Sequence, residues 1–116
     1  MTPNLLNITP ELTASVAAKT QAVNALLADI AAHWSPATFA NSLGAEDMVL
    51  TDLIVKAKLP IEIFSLDTGR LPLETYDLMA AVQKHYGLKL KVFFPQPEEV
   101  ESYVRQHGIN AFYDSV

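Results

Sequence analysis

Apolar residues recur at helical spacing along the first third of the chain. The intervals between them are three, four or seven residues, which places all of them on one side of a helix. They are Leu12, Val16, Val23, Leu27, Ile30 and Trp34. Thr9 suits the N-cap of this helix, Pro10 suits its first turn, and Ser35-Pro36 ends the pattern. The pattern therefore predicts a helix over residues 9–34 with an apolar stripe that packs on a core.

Short apolar runs alternate with helical patterns from residue 37 onward. The predicted strands span residues 37–41, 61–66 and 88–94, and the predicted helices span residues 46–57, 72–86 and 98–107. Strands joined by helices of about 10–15 residues are typical of βαβ units, whose strands are parallel and whose crossovers are right-handed. The chain is therefore predicted to be an α/β protein, a parallel sheet with helices on both faces.

Two of the predicted helices carry apolar residues on the side that we expect to face the sheet. In helix 46–57 these residues are Val49, Leu50, Leu53 and Ile54, and in helix 72–86 they are Tyr76, Met79, Val82 and Tyr86. Gly87 follows the second helix and suits its C-cap, because glycine readily adopts the left-handed conformation found there.

The length of the chain, 116 residues, suits one domain, and an apolar content of 50% supplies enough side chains for a core. We divide the chain into an N-terminal helical segment, residues 1–36, and the first βα units of an α/β domain, residues 37–116. Three strands leave a small sheet with exposed edges, which is a poor stopping point for this architecture. We therefore expect the domain to be incomplete and the chain to be cut from a longer protein.

The charge balance narrows the classes of partner. Thirteen acidic residues outnumber eight basic ones, for a net charge of −5. This disfavours a nucleic-acid backbone binder and an electrostatic membrane binder, since both need clustered Lys and Arg. No apolar run approaches the ~20 residues of a membrane span, and the N-terminus lacks the basic and apolar regions of an export signal. The chain is predicted to be cytoplasmic, with neither nucleic acid nor membrane as a partner.

The chain contains no cysteine. This excludes disulfides, thiolate metal sites, iron–sulfur ligation and cysteine nucleophiles within these residues. The three histidines lie far apart, without metal-ligand spacing, and suit helix ends better. We therefore predict no metal, no cofactor and no catalytic redox residue within this chain.

Candidate binding chemistry lies in the two loops that follow the first two predicted strands, because open α/β sheets bind ligands outside the carboxyl ends of their strands. The first loop runs through Ser42, Leu43, Gly44, Ala45, Glu46 and Asp47. Gly44 can adopt a positive φ or admit a ligand close to the backbone, and the N–H groups at the following helix start can receive an anion. The segment matches neither G-x-G-x-x-G nor a Walker A loop.

Two acids in the first loop pose a difficulty for anion binding. Glu46 and Asp47 favour the helix dipole, yet they repel a phosphate. We expect both side chains to point sideways, so that Ser42 and the loop N–H groups face the ligand. The same residues also suit a plain capped helix behind a glycine turn, which is the commoner use of such a pattern.

The second loop runs through Leu66, Asp67, Thr68, Gly69 and Arg70. Asp67 can accept hydrogen bonds from ribose hydroxyls or a purine amino group, Gly69 admits close approach, and Arg70 can meet an anion. Asp-Thr-Gly is equally a turn sequence in which the aspartate accepts backbone N–H groups ahead of it. A receiver domain fits poorly, because the first strand ends without the clustered acids that hold Mg²⁺. An interaction module without a ligand stays open.

Four segments resemble a known family. They are F39-A-N-S-L-G-A-E-D-M48, F64-S-L-D-T-G-R-L-P-L-E-T-Y76, H85-Y-G-L-K-L-K-V-F-F-P95 and G108-I-N-A-F-Y-D-S-V116. In these segments the chain resembles the N-terminal part of the assimilatory sulfonucleotide reductases, the thioredoxin-dependent adenylyl-sulfate and phosphoadenylyl-sulfate reductases. The resemblance implies an adenine nucleotide α-hydrolase-like, PP-loop, Rossmann-like fold. It also implies that Ser42–Asp47 lie near the phosphosulfate and that Leu66–Gly69, with Arg70 beside them, line the adenosine pocket.

The resemblance also implies an activity. These enzymes reduce the sulfate of adenylyl sulfate or phosphoadenylyl sulfate to sulfite and release AMP or adenosine 3′,5′-bisphosphate. A cysteine in a C-terminal tail attacks sulfur, and thioredoxin or glutaredoxin cleaves the resulting thiosulfonate. We expect a homo-oligomer, and a four-iron, four-sulfur cluster in the full-length protein if it belongs to the adenylyl-sulfate branch, which its loop sequences resemble more.

This sequence departs from the family pattern where the redox chemistry would be. It has no cysteine, and it lacks the paired-cysteine motif, the arginine-rich segment and the cysteine-bearing tail. Another PP-loop enzyme, an ATP pyrophosphatase that adenylates a substrate, is the nearest alternative, and a non-catalytic interaction domain is the second.

Overall fold

The computed structural model describes residues 7–114, and within them the chain forms three strands and five helices. In chain order these are α1 (Pro10–His33), β1 (Ala37–Ala40), α2 (Ala45–Lys56), β2 (Ile61–Leu66), α3 (Leu73–Tyr86), β3 (Lys91–Phe93), α4 (Pro97–His107) and α5 (Ala111–Asp114). Residues 1–6 belong to the predicted N-terminal segment and residues 115–116 to the terminal motif, and both stretches lie outside the described residues.

The helix ends follow the local signals in the sequence. Thr9 caps α1, since its Oγ1 accepts a hydrogen bond from the Leu12 N–H at 3.1 Å. Gly87 ends α3 with a φ of 63°, the left-handed conformation expected of a glycine C-cap. The predicted bounds of the first helix and of β2 are confirmed to within a residue.

Two elements near the C-terminus differ from the prediction. β3 is shorter than the predicted strand 88–94, because it pairs only with Phe64–Leu66 at the end of β2. Leu90 instead donates its N–H to the side chain of Gln83 at 3.2 Å. The short helix α5, Ala111–Asp114, was not predicted.

The sheet is parallel, with strand order β1-β2-β3, so the α/β class with a parallel sheet is confirmed. β2 lies in the centre and alternates strictly along its length. Ile61, Ile63 and Ser65 are buried on one face, whereas Glu62 and Leu66 are exposed on the other. This alternation separates a core face from an open face.

One core lies on the buried face of the sheet. Its buried members are Leu27, Ile54, Ile61, Ile63, Met79 and Leu90. They come from α1, α2, α3, β2 and the segment before β3, so the three longest helices share a core with the same face.

Within residues 7–114, the expectation of helices on both faces is met on one face only. Strands added in one direction by right-handed crossovers place both crossover helices on the same side of a sheet. On the opposite side, Leu66 is 64% exposed and Phe93 is 46% exposed. Helix α4 approaches only the corner of that side, where Val100 lines a cavity with these two residues.

The apolar stripe of α1 packs along only part of its length. Leu27 is buried, but Leu12 is 37% exposed, Val16 is 54% exposed and Trp34 is 71% exposed. A helix of 24 residues spans ~36 Å, whereas three strands span only ~10 Å across the sheet. Half of the predicted stripe, three of its six residues, is therefore left uncovered. Despite the length of α1, no helix among the described residues is apolar enough over a sufficient length to cross a bilayer.

The predicted inner face of α2 needs one correction. Ile54 is buried, and Leu50 and Leu53 pack against the core, but Val49 is 57% exposed. The inner face of α2 instead includes Thr51, which is fully buried. The predicted face of α3 is confirmed, with Met79 and Val82 buried and the two tyrosines half-buried.

Candidate functional site

A cavity of about 300 Å³ opens at the carboxyl ends of β1 and β2. Its walls come from the last residues of both strands, from Ser42 and Leu43 of the first loop, from Leu71, and from Thr75 and Met79 of α3. The cavity therefore lies where an open α/β sheet binds ligands. Both predicted loops border it.

In the first loop, the Asp47 carboxylate accepts two hydrogen bonds from Ser42. The Ser42 N–H donates to Asp47 Oδ2 at 2.7 Å, and the Ser42 hydroxyl donates to the same oxygen at 2.6 Å. The expectation that Asp47 points sideways is therefore wrong. An acid in the first turn of a helix satisfies unpaired donors ahead of that helix and is favoured by the helix dipole, so it turns toward them.

These hydrogen bonds further favour the ionised form of Asp47. The bond from the Ser42 hydroxyl, followed by that from the Ser42 N–H, lowers the pKa of the Asp47 carboxyl below its ordinary value of 3.8. Asp47 is therefore a carboxylate at neutral pH. Asp47 therefore places a negative charge against Ser42, where a phosphosulfate is predicted to bind.

Gly44 does not use the conformational freedom expected of it. Its φ is −67°, a value open to any residue, and the left-handed residue of this loop is Leu43 with a φ of 68°. Asn41 supports Leu43 in this conformation, because Asn41 Oδ1 accepts the Leu43 N–H at 2.7 Å. A Cβ at Gly44 would lie 3.3 Å from Ser42 Oγ, so glycine here provides space beside Ser42.

Buried polar side chains support the first loop from below, and sequence reasoning missed them. Asn41 is 3% exposed, and its Nδ2 donates to Thr51 Oγ1 at 2.9 Å. Thr51 Oγ1 in turn donates to the Asp47 carbonyl at 2.8 Å. Ser65 Oγ donates to the Asn41 carbonyl at 2.7 Å. The available signal was the presence of polar residues at inward positions of otherwise apolar elements.

In the second loop, Asp67 is 5% exposed, and its side chain stabilises the turn. Its Oδ1 accepts the Gly69 N–H at 2.6 Å and the Tyr76 hydroxyl at 2.9 Å. Gly69 has a φ of 87°, which favours glycine at this position. The hydrogen bond to Asp67 raises the pKa of the Tyr76 hydroxyl above its ordinary value. Tyr76, which the sequence analysis placed only on an inner helix face, therefore also anchors the loop to α3.

In the second loop, Thr68 is exposed and Arg70 is half-buried. The Arg70 guanidinium lies 5.6 Å from the ring centroid of Tyr113 in α5, within the range of a cation–π contact. The Arg70 N–H contacts Thr68 Oγ1 at 3.4 Å. This loop is therefore linked to the short helix that the sequence did not predict.

The structure brings only some of the predicted site residues around a common space. Ser42, Leu43 and Leu66 line the 300 Å³ cavity. Asp67 and Thr68 line a neighbouring cavity of about 370 Å³, whose other walls include Phe93, Phe94 and Val100. The remaining predicted residues border neither of these two cavities. They are Gly44, Ala45, Glu46, Asp47, Gly69 and Arg70.

An iron–sulfur cluster does not fit the residues present. Such clusters are held by cysteine thiolates, and the 116 residues include none. Within residues 7–114, no three His, Cys, Asp or Glu side chains converge in a group that could hold a metal ion.

A parallel α/β sheet with two polar loops at the carboxyl ends of adjacent strands defines the class of α/β nucleotide-binding folds. Residues 36–115 match the model of the phosphoadenosine phosphosulfate reductase domain. The chain belongs to that family.

Similar curated proteins carry one name. The chain is 48% identical over 91 residues to the adenosine 5′-phosphosulfate reductase of Allochromatium vinosum, a stretch covering 78% of this chain and 36% of that protein. It is 48% identical over 109 residues to the protein of that name from Burkholderia cepacia, covering 94% of this chain and 42% of the relative. A Neisseria meningitidis protein of the same name is 45% identical over 103 residues, which is 88% of this chain and 42% of the relative. The chain thus spans about two fifths of these relatives.

Proposed function

We propose that this chain is the nucleotide-binding portion of a reductase in sulfate assimilation. The substrate is adenylyl sulfate or 3′-phosphoadenylyl sulfate, and the products are sulfite and AMP or adenosine 3′,5′-bisphosphate. Family membership and the name of the curated relatives support the reaction. The observation that carries the proposal is the cavity of about 300 Å³ beside the first loop, which Leu66 of the second loop also lines. It is large enough for a nucleoside and opens at the carboxyl ends of the strands.

The two loops receive different parts of the nucleotide in this proposal. Ser42–Asp47 form the PP-loop-like segment beside the phosphosulfate, and Leu66–Gly69 line the adenosine, with Arg70 as an anion contact. Apolar walls such as Leu43, Leu71 and Met79 suit a purine ring, which is flat and largely apolar. Residues 37–116 then form the first βα units of the nucleotide-binding domain, and residues 1–36 form a helical segment before it.

The reduction itself requires groups that this chain does not contain. Sulfite release takes two electrons, which we assign to a dithiol protein, thioredoxin or glutaredoxin. The thiol nucleophile is not among these 116 residues, because they include no cysteine. We therefore propose that the full-length protein supplies it, together with a four-iron, four-sulfur cluster if it uses adenylyl sulfate. We further propose a cytoplasmic homo-oligomer that binds neither nucleic acid nor membrane.

Ligand titration followed by NMR tests the nucleotide site. Adenylyl sulfate added to the ¹⁵N-labelled chain should shift the amide signals of Ser42–Asp47 and Leu66–Arg70 at lower concentration than ATP does. The longest natural protein that carries this chain should release sulfite from adenylyl sulfate when reduced thioredoxin is added. A control without thioredoxin should release no sulfite and no more than one equivalent of AMP, because sulfite leaves only when a thiol cleaves the thiosulfonate.

Two other outcomes would replace the proposal. Conversion of ATP to AMP and pyrophosphate in the presence of Mg²⁺, without any thiol requirement, would identify an ATP pyrophosphatase with a PP-loop. Failure of adenylyl sulfate, ATP and AMP alike to contact either loop in that longest protein would indicate a non-catalytic interaction domain.

A further inference from the structure

The donors of Ser42, Leu43 and Gly44, in the first half of the first loop, are already in use within the protein. The Ser42 N–H and hydroxyl both donate to Asp47 Oδ2, at 2.7 and 2.6 Å. The Leu43 N–H donates to Asn41 Oδ1 at 2.7 Å, and the Gly44 N–H donates to Ser42 Oγ at 3.3 Å. Each backbone N–H from residue 42 to residue 44 therefore has an acceptor inside the chain.

This arrangement limits what the loop can offer an incoming oxyanion. A serine hydroxyl has one proton, and that of Ser42 points to Asp47. An oxyanion that approached Ser42 would meet a hydroxyl that can only accept a hydrogen bond. Beside this hydroxyl lies the Asp47 carboxylate, which is negatively charged and repels the oxyanion. Strong binding of an oxyanion at Ser42 therefore requires the Asp47 carboxylate to leave.

The surrounding contacts allow Asp47 to leave by rotating its side chain alone. Its backbone is held in place from both sides, since the Asp47 carbonyl accepts the Thr51 hydroxyl at 2.8 Å and the Met48 N–H donates to the Gly44 carbonyl at 3.0 Å. The Asp47 side chain itself is only half-buried. Among the described residues, only Ser42 donates hydrogen bonds to its carboxylate. A rotamer change would thus free both Ser42 donors and leave α2 intact.

We propose that the Asp47 carboxylate is an internal substitute for the ligand oxyanion, and that an anionic ligand binds the first loop in exchange for it. This inference rests on the proposed function, because it takes the first loop as the anion-binding part of the nucleotide site. Asp47 is then a positioning residue that holds the empty loop in shape and is displaced by ligand. A neutral nucleoside does not require the exchange, whereas a phosphate or phosphosulfate does.

A purely structural role for Asp47 predicts the opposite response to mutation. If Asp47 only holds the loop in its binding shape, removal of its charge weakens the binding of every ligand. If Asp47 competes with the ligand, removal of its charge strengthens the binding of anions and leaves adenosine unaffected. The sign of the change therefore separates the two roles.

The test compares Asp47→Asn with Glu46→Gln in the ¹⁵N-labelled chain. Both variants remove one negative charge from the first turn of α2, but the exposed Glu46 makes none of the hydrogen bonds to Ser42. Inorganic sulfate, AMP and adenosine are titrated, and the amide signals of Ser42, Leu43 and Gly44 report binding. We expect Asp47→Asn to bind sulfate and AMP about five-fold more tightly than the original chain, and Glu46→Gln to gain less than about two-fold. Adenosine affinity should be equal in all three.

Several results would overturn the inference. They are equal or weaker binding of sulfate and AMP by Asp47→Asn, an equal gain in Glu46→Gln, and an absence of any sulfate-dependent shift in Asp47→Asn. Unchanged amide signals of Ile54 and Met79 show that the variant is folded. If Asp47→Asn does not fold, the original chain gives the answer, because ligand should change the ¹³C shift of the Asp47 carboxyl together with the Ser42 amide signal. If the Asp47 carboxyl and the Ser42 amide keep their ligand-free chemical shifts in a chain saturated with AMP, the exchange is also refuted.

These outcomes differ from those that test the proposed function. Binding of adenylyl sulfate with Asp47 still bonded to Ser42 would refute the exchange and leave the nucleotide site in place. Preference for ATP over adenylyl sulfate, with sulfate binding improved in Asp47→Asn, would refute the proposed reaction and leave the exchange in place.

Discussion

A few buried polar side chains determine the shape of the first loop. Asn41 and Thr51 are 3% and 0% exposed, and each satisfies the other while holding a backbone group of the loop. Burial of a polar group is costly unless it is hydrogen-bonded, so these residues act as a unit. No buried side-chain nitrogen or oxygen among the described residues lacks a partner. The position of Asp47 thus depends on Asn41, just after β1, and on Thr51 in α2.

The pair formed by Asn41 and Thr51 can be tested by removing one hydroxyl. Thr51→Val keeps the volume of the side chain but leaves the Asn41 amide without its acceptor. The free energy of unfolding should fall by about 1–3 kcal/mol in urea denaturation. Thr51→Ser keeps the hydroxyl and should cost only about 1 kcal/mol for the lost methyl group. Stability of Thr51→Val equal to that of the original chain would contradict a role for the hydrogen bond.

Gly44 can be tested by adding a side chain beside Ser42. Gly44→Val fits the observed φ of −67°, so the fold should persist, but its Cβ lies 3.3 Å from Ser42 Oγ. We expect nucleotide affinity in the longest natural protein that carries this chain to fall by about ten-fold in calorimetric titration, equivalent to ~1.4 kcal/mol. Ala57→Val, at the other end of α2, is the matched control and should bind as the original does. Equal affinity of Gly44→Val would remove this loop from the site.

Helix α1 shows how one element can belong to the core along only part of its length. Leu27 is 9% exposed and belongs to the core, whereas Leu12 and Val16, earlier in the same stripe, are exposed. The 3.6-residue period predicts which side of a helix is apolar, but the period carries no information on how far the neighbouring element extends.

Alanine substitutions along α1 should therefore differ sharply in cost. Leu27→Ala should lower the free energy of unfolding by about 2–4 kcal/mol, because it opens a cavity in the core. Leu12→Ala removes the same atoms from the same helix and should cost less than about 0.5 kcal/mol, since Leu12 is 37% exposed. Chemical denaturation of both variants measures the difference. Similar losses would show that α1 packs over its full length.

The molecule as a whole has one covered face and one open face. Glu62, Leu66, Lys91 and Phe93 are exposed on the open side of the sheet, while the core lies entirely on the other. The contacts that join the helices on the covered side therefore carry much of the tertiary structure. One of them joins α2 to α3, because the Tyr86 hydroxyl donates to Asp52 Oδ1 at 3.1 Å.

Acid should weaken this link between helices. The hydrogen bond from Lys56, at 2.8 Å from Asp52, is the main cause that lowers the pKa of the Asp52 carboxyl below 3.8, and the Tyr86 hydroxyl adds to it. A carboxyl whose pKa is lower in the folded state stabilises that state at pH values above 3.8. This contribution is lost as the pH falls through the folded-state pKa.

Asp52→Asn should therefore be less stable than the original chain at pH 7, and the difference should shrink as the pH falls below about 4. Denaturation midpoints between pH 7 and pH 2 measure this convergence. Asp77→Asn, which changes an exposed carboxylate of α3 that makes none of these bonds, is the control. A constant difference between Asp52→Asn and the original chain over this pH range would contradict the assignment.

Local signals predicted the elements well because their causes are local. Thr9 with Pro10 marks the start of α1, Gly87 marks the end of α3, and the apolar run from Ile61 marks β2. The short helix α5 and the shortened β3 escaped prediction because their extents depend on contacts with other parts of the chain. β3 begins only at Lys91, because the Leu90 N–H donates to the Gln83 side chain of α3 instead of to β2.

The location of the candidate site was predicted from the sequence, but the side-chain contacts within it were not. Polar loops after adjacent parallel strands must meet at one edge of a sheet, so their location followed from the order of elements. Sequence alone did not reveal that Asp47 bonds to Ser42 or that Tyr76 holds Asp67, because side-chain direction depends on the donors that folding brings nearby. Whether these residues bind a nucleotide stays a prediction.

The sequence by itself determined the type and order of the elements, the parallel sheet and the edge where the polar loops gather. These follow from capping residues, apolar periodicity and the handedness of crossovers, all of which act over a few residues or one unit. Only the tertiary structure decided which face of the sheet is covered, how far α1 is buried and which acceptor satisfies Ser42. Those outcomes depend on which groups compete for the same surface or donor, and that competition exists only once distant parts of the chain are in contact.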